Sequence, residues 1–147
     1  AKNGNEKAFN FPRPKLYSKD FDFSFSGLKT AVFREVKEIK KLNNTIIADI
    51  CASSQKAIVD VLIKKTLTAA ENYNAKSILL SGGVAANEKL RTQFILNTKY
   101  KIPNTEIFFP KKFLCTDNGA IIASAAFFNY KPVDWRKITA NPELYFD

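Results

Sequence analysis

A chain without histidine has few ways to move a proton. It lacks the commonest general base and the commonest zinc ligand. Catalysis must then draw on carboxylates, lysine, backbone dipoles, a bound metal or groups from another chain. The stretch Ser81-Gly82-Gly83-Val84-Ala85-Ala86-Asn87 follows the apolar run Ile78-Leu79-Leu80 and precedes a helical pattern. Two glycines at such a turn permit positive φ and leave no Cβ between backbone and ligand. Free N–H groups at the helix N-terminus that follows attract anions. Two readings fit: a nucleotide or phosphate seat, and a tight βα turn that needs glycine only for geometry. The stretch is neither G-x-G-x-x-G nor the lysine-containing P-loop. Asn87 sits in the first turn of the helix, where its amide reaches a ligand over the turn or solvates the helix end. Asp117 stands at a later helix start. A carboxylate there binds a hard cation or caps the helix, and spacing alone favours the cap. Ligand sites in α/β folds lie at the C-terminal ends of strands, so Asp117 and Gly82-Gly83 point to one edge. Ser26 and Lys29 occupy another strand–helix junction, where the lysine either meets phosphate or is simply solvated.

The elements that must position these residues follow from periodicity. Residues 1–20 read as a loop, with Phe9-Asn10-Phe11-Pro12-Arg13-Pro14 extended and packed over a surface. Phe21, Phe23 and Phe25 alternate with Asp22 and Ser24, which predicts a half-buried strand ended by Ser26-Gly27. Leu28, Val32, Val36 and Ile39 predict a helix through Lys41. Asn43-Asn44 breaks it, and Asn44 is positioned to cap a helix from about Thr45 to Asn72, roughly 40 Å long at 1.5 Å per residue. Ser53-Ser54-Gln55 interrupts the apolar side of that helix, either as a polar contact or bend or as hydroxyls bonded to backbone in a tight contact. Ile78 to Leu80 predict a strand buried on both faces, and Val84 to Leu96 the helix after it. Glu106 to Phe109 predict a third strand. Asp117-Asn118 open a helix through Phe128, apolar enough to be buried. Beyond Tyr130, an irregular tail carries Pro132, Trp135 and Pro142. Strands alternating with helices give the α/β class, a short sheet packed with helices. Three strands are too few for a self-sufficient doubly wound domain.

With 147 residues and 46% hydrophobic content, the chain suits a single unit with a core. No run approaches the roughly 18 apolar residues of a membrane span, and the polar start Ala1-Lys2-Asn3-Gly4-Asn5 is not a signal peptide. Methionine is absent throughout, so the chain reads as a fragment of a longer polypeptide. Cys51 and Cys115 lie far apart in no metal-ligand spacing, which suits a reduced, cytoplasmic setting. The net charge of +9 favours a polyanionic partner, nucleic acid first. The bland alternative is a population of solvated lysines, since Lys40-Lys41, Lys64-Lys65 and Lys111-Lys112 are only pairs and no basic block stands out.

Three blocks taken together say more. Phe23-Ser24-Phe25-Ser26-Gly27-Leu28-Lys29-Thr30-Ala31-Val32, the run from Ser81 through Arg91, and Cys115-Thr116-Asp117-Asn118-Gly119-Ala120 match, in order and spacing, three blocks of one family. The chain resembles the C-terminal part of the catalytic subunit of the tRNA N6-adenosine threonylcarbamoyltransferase family, formerly described as glycoproteases. The resemblance covers nearly all of the chain. It implies an actin-like, sugar-kinase-like (ribonuclease H-like) two-lobed fold with nucleotide and metal in the cleft. Ser81, Gly82 and Gly83 would lie against the nucleotide of threonylcarbamoyl-AMP, Asn87 would bind substrate, and Asp117 would be the carboxylate ligand of a catalytic iron or zinc. It implies transfer of threonylcarbamoyl to N6 of adenosine 37 in tRNAs reading codons that begin with A. It also implies three kinds of partner: tRNA, accessory proteins of the threonylcarbamoyl-transfer complex, and the N-terminal half of the same enzyme.

The departures from the family pattern are informative. The family's paired metal-binding histidines, its early glycine-rich substrate loop and its ribose-holding Asp and Gly have no counterpart here. Gly119 stands where the family usually has alanine. One carboxylate does not make a metal site, so residues 1–147 alone are expected to be inactive. Two competing readings come from other classes: a catalytically inactive tRNA- or protein-binding module, and a small-molecule kinase of the same superfamily. The third block fits the transferase better than the kinase. A peptidase is disfavoured, because no nucleophile–base pair is visible.

Overall fold

The computed structural model describes residues 1–140. Helix α1 spans Ser26–Glu38 and α2 spans Asn44–Asn72. Strand β1 (Ser77–Leu79), α3 (Glu88–Lys101), β2 (Glu106–Phe108) and α4 (Gly119–Phe128) follow, with 3-10 turns at Gly83–Ala86, Lys112–Leu114 and Trp135–Lys137. The two strands run parallel in the register Ser77–Glu106, Ile78–Ile107 and Leu79–Phe108, joined through α3. Parallel strands need such a crossover because their ends lie on opposite sides of the sheet. Pairing extends past both strand ends, where Glu106 N–H donates to Lys76 O and Leu80 N–H to Phe108 O, each at 3.0 Å.

Helix α2 is the central element. Asn43 caps it, its side chain accepting from Ile46 N at 2.8 Å. The predicted cap was Asn44, which is instead the first helical residue. At the other end Asn74 adopts a left-handed conformation (φ 50°), and Ala75 N–H closes back onto Ala70 O at 2.8 Å. That is the asparagine version of the helix stop usually supplied by glycine. One stripe of α2 (Val59, Ile63, Leu67, Ala70) packs on Ile78, Leu90 and Phe94. Another side (Ile50, Ala57) packs on Phe11 and on Leu28 of α1. Buried on both sides, α2 shows little amphipathic contrast.

The N-terminal segment lies along α2, as expected for a chain packed over a surface. Asn5 N–H donates to Asp49 at 2.7 Å, Ser53 Oγ accepts from Phe9 N–H and donates to Asn5 O, and Arg13 pairs with Asp60 at 2.9 Å. Ser53 is therefore bonded to backbone, but to that of the crossing segment and not within a helix pair. A Cβ at Gly4 would sit 2.0 Å from Ala48 O, so only glycine permits this approach. Lys65, 3% exposed, donates to Ser18 Oγ, Asp20 O and Asp20 Oδ1 at 2.6, 2.6 and 3.0 Å.

Several expectations are corrected. Phe21–Phe25 forms no strand. The alternation is visible, since Phe23 and Phe25 stack with centroids 6.5 Å apart, but among the described residues no neighbour pairs with this backbone. Ser26-Gly27 opens α1 and does not end a strand, and α1 stops at Glu38, before Lys41. The sheet thus has two strands among the described residues, not three. Strand β1 is buried on one face only, with Ile78 inside and Leu79 74% exposed. Helix α4, expected to be buried, has no buried residue. Of the predicted tail, Pro132 and Trp135 are described, the latter in a 3-10 turn, and Pro142 lies outside the described residues.

Candidate substrate cleft at the glycine turn

The site is built where β1 and β2 end. After Leu79 the chain passes through Leu80 and Ser81 to Gly82, whose φ of 77° and ψ of 171° lie in a region that essentially only glycine occupies. Gly83 then starts the 3-10 turn, held by Ala85 N–H to Gly82 O at 3.0 Å, with Ala85 buried beneath. The predicted helix from Val84 is thus two pieces: this turn, and α3 from Glu88. Asn87 stands between them as the N-cap of α3 and not in its first turn. Its Oδ1 accepts from Leu90 N–H at 3.1 Å, and its Nδ2 donates to Gln55 Oε1 at 3.4 Å. Asn87 serves the start of α3, and the turn before it carries the N–H groups of Gly82 and Gly83. Neither has a protein acceptor among the described residues.

From β2 the chain runs through Phe109 and Pro110 into the turn Lys112–Leu114, then buried Cys115, Thr116 and Asp117. The cap of α4 is Asn118, which accepts from Ile121 N–H at 3.1 Å. Asp117, for which spacing alone favours the cap over a cation ligand, is not the cap but is exposed, and among the described residues its carboxylate takes no hydrogen bond or ion pair. A Cβ built on Gly83 would lie 3.9 Å from Thr116 Cγ2. The glycine turn and the loop carrying Asp117 are therefore in contact at the C-terminal edge of the parallel strands, as α/β topology requires of a ligand site.

Two grooves flank Asn87. One, about 660 Å³, is mainly apolar and is walled by Val32, Ile50, Ile58, Leu62, Val84 and Leu90. Ser54, whose buried hydroxyl has no partner, also lines it. The other, about 520 Å³, is lined by Glu6, Glu88, Lys89 and Thr92. Gln55 and Asn87 belong to both. Lys89 bonds Glu6 at 2.8 Å and holds its carboxyl below the usual range. Ser26 and Lys29 line neither groove.

Sequence reasoning gave no role to Gln55 or Arg91. Gln55 was visible only as part of the polar interruption in α2. Arg91 carried a clearer signal: a cation in the first turn of a helix opposes the macrodipole, so some other contact must hold it there. Among the described residues no three His, Cys, Asp or Glu side chains gather to hold a metal. Asp117 is one exposed carboxylate, and Cys115 is buried against Arg91. The donor set here does not by itself fit a metal centre.

Two parallel strands, with the glycine turn and the loop carrying Asp117 at their C-terminal edge, define a small α/β protein. A family model described as TsaD, tRNA N6-adenosine threonylcarbamoyltransferase, matches residues 1–124. The chain belongs to that family. Relatives bearing the same name are 46% identical in Fervidobacterium nodosum (85% of this chain, 37% of the relative) and 47% in Thermosipho africanus (89% and 39%). One from Moorella thermoacetica is 43% identical (98% and 42%). The chain thus spans about two fifths of the length of these relatives, at their C-terminal part. Among the described residues no helix is long and apolar enough to cross a membrane.

Proposed function

We propose that this chain is the C-terminal portion of a threonylcarbamoyl transferase acting on tRNA, the part of an actin-like two-lobed enzyme that holds the nucleotide end of the donor. The contact between Gly83 and the Asp117 loop carries this reading. Adenine N6 attacks the carbamoyl carbon of threonylcarbamoyl-AMP, the new C–N bond forms, the C–O bond to phosphate breaks, and AMP departs as N6 loses a proton. The unpaired N–H groups of Gly82 and Gly83 face the AMP phosphate, with Ser81 beside them. Asn87, fixed by its own cap bond and by Gln55, turns its remaining amide hydrogen to the substrate. The adjoining apolar groove suits a nucleoside, with Ser54 as an internal polar contact. Asp117 contributes at most one ligand to an iron or zinc whose other ligands lie outside this chain. The +9 charge suits tRNA bound through its phosphates. Accessory proteins and the N-terminal part of the enzyme complete the cytoplasmic assembly. An inactive binding module is not favoured, because family membership and the paired loops both point to the transferase.

The test supplies threonylcarbamoyl-AMP and tRNA to this chain alone and to a full-length enzyme carrying it as its C-terminal part. The chain alone is expected to transfer nothing. The full-length enzyme should lose at least a hundredfold in rate with Asp117→Ala and at least tenfold with Asn87→Ala. Full activity in both variants would refute the assignment.

A further inference from the structure

We propose that Arg91 is a positioning residue that sets the separation between the glycine turn and the Asp117 loop; this rests on the transferase reading above. Arg91 lies in the first turn of α3, between the two loops. Its Nε donates to Ala85 O at 2.5 Å, inside the turn that begins at Gly83. Its Nη2 donates to Pro110 O at 2.8 Å and to Cys115 Sγ at 3.1 Å, on the loop that leads to Asp117. The guanidinium carbon also stands 5.3 Å from the centroid of the Phe109 ring, where β2 ends. One rigid, planar group thus ties both halves of the cleft, and it is anchored on neither.

The chemistry explains why arginine is used. A guanidinium presents several donors in a fixed fork and stacks on an aromatic face, whereas a lysine ammonium is a single compact charge on a flexible stem. Lysine at this position keeps the charge but cannot reach Ala85 O, Pro110 O and the Phe109 ring together. Its substitution frees one loop from the other while leaving the packing of Leu67, Phe94 and Ile78 untouched. Reacting groups displaced by an ångström lose orders of magnitude in rate, so the loss belongs in turnover and not in tRNA binding.

The experiment uses Arg91→Lys and Arg91→Gln. In the chain itself, alkylation of buried Cys115 is followed against exposed Cys51 as internal reference. Cys115 is expected to react at least tenfold faster in both variants, with Cys51 unchanged and thermal melting within a few degrees of the parent. In the full-length enzyme, kcat with threonylcarbamoyl-AMP is expected to fall at least tenfold in Arg91→Lys while KM for tRNA stays within twofold. Unchanged protection of Cys115, or kcat within twofold of the parent, overturns the inference. So does a loss that appears only as a lower melting temperature. Asp117→Ala, measured alongside, separates the two levels. If it is inactive while Arg91→Lys is not impaired, the transferase reading survives and the positioning role falls. If the parent full-length enzyme transfers no threonylcarbamoyl group, the transferase reading falls, whatever Cys115 shows about the clamp; full activity of Asp117→Ala alone removes only the metal-ligand assignment.

Discussion

Gly82 and Gly83 are adjacent and chemically identical, yet their backbones ask different things of a substitution. Gly82 has φ 77°, and no atom lies within 4 Å of where its Cβ would stand. The cost of Gly82→Ala is then purely conformational, about 1–3 kcal/mol for a residue forced into this region. Gly83 has ordinary φ, and its added Cβ would make normal van der Waals contact with Thr116. Gly83→Ala is expected to change stability by less than about 0.5 kcal/mol, as for substitutions clear of strained sites. Denaturant titration of the two variants checks the contrast; equal destabilisation would contradict the assigned backbone. Asp20 makes a second prediction at this scale. Its hydrogen bond from Lys65, then those from Ser18 and the Asp22 backbone, hold its pKa down from 3.8 to about 2. A folded-state pKa below the unfolded one gives stability that is present above about pH 4 and is lost as pH falls toward 2. Asp20→Asn should flatten the acid limb of a stability–pH profile between those values, with no change of sign above it.

At the scale of elements, α2 organises the chain, because both of its sides are buried and the N-terminal segment crosses it. Phe94 of α3 fills the space against Val59, Ile63 and Leu67 and is 1% exposed. Phe94→Ala should destabilise by about 3–5 kcal/mol, the range for emptying a buried aromatic site. Urea unfolding would show it as a lower midpoint at constant slope. The helices were legible because their apolar spacing is local: α2 emerges within one residue of the predicted Thr45 start and at its predicted end. The lack of a strand at Phe21–Phe25 was not, because alternation records which side chains share a face and cannot supply a pairing partner. The division of the glycine turn from α3 was also hidden. Asn87 reads equally well as an interior helical residue until its side chain is seen on Leu90 N–H.

For the molecule as a whole, the unusual feature is exposed apolar surface. Leu79 of β1, Ile122 (69% exposed) and Phe128 (82%) of α4 face outward. Patches of this kind drive association in isolated chains. The 147-residue chain is expected to bind a hydrophobic dye and to self-associate at micromolar concentration. Ile122→Lys with Phe128→Lys should reduce both while leaving the melting temperature essentially unchanged, measured by light scattering and calorimetry. A large drop in melting temperature would mean that α4 is packed in the folded chain.

The sequence by itself determined the helices, the α/β class, and, through three spaced blocks, the family and the residues worth testing. These depend on local periodicity and on residue types at fixed intervals, which a linear string records. Only the tertiary structure decided that Gly83 meets Thr116, that Asn118 and not Asp117 caps α4, that Gln55 reaches Asn87 across 32 residues, and that Arg91 binds both loops. Each is a relation between segments distant in sequence. It depends on how α2, α3 and the two strands close on one another, and no single stretch of residues encodes that.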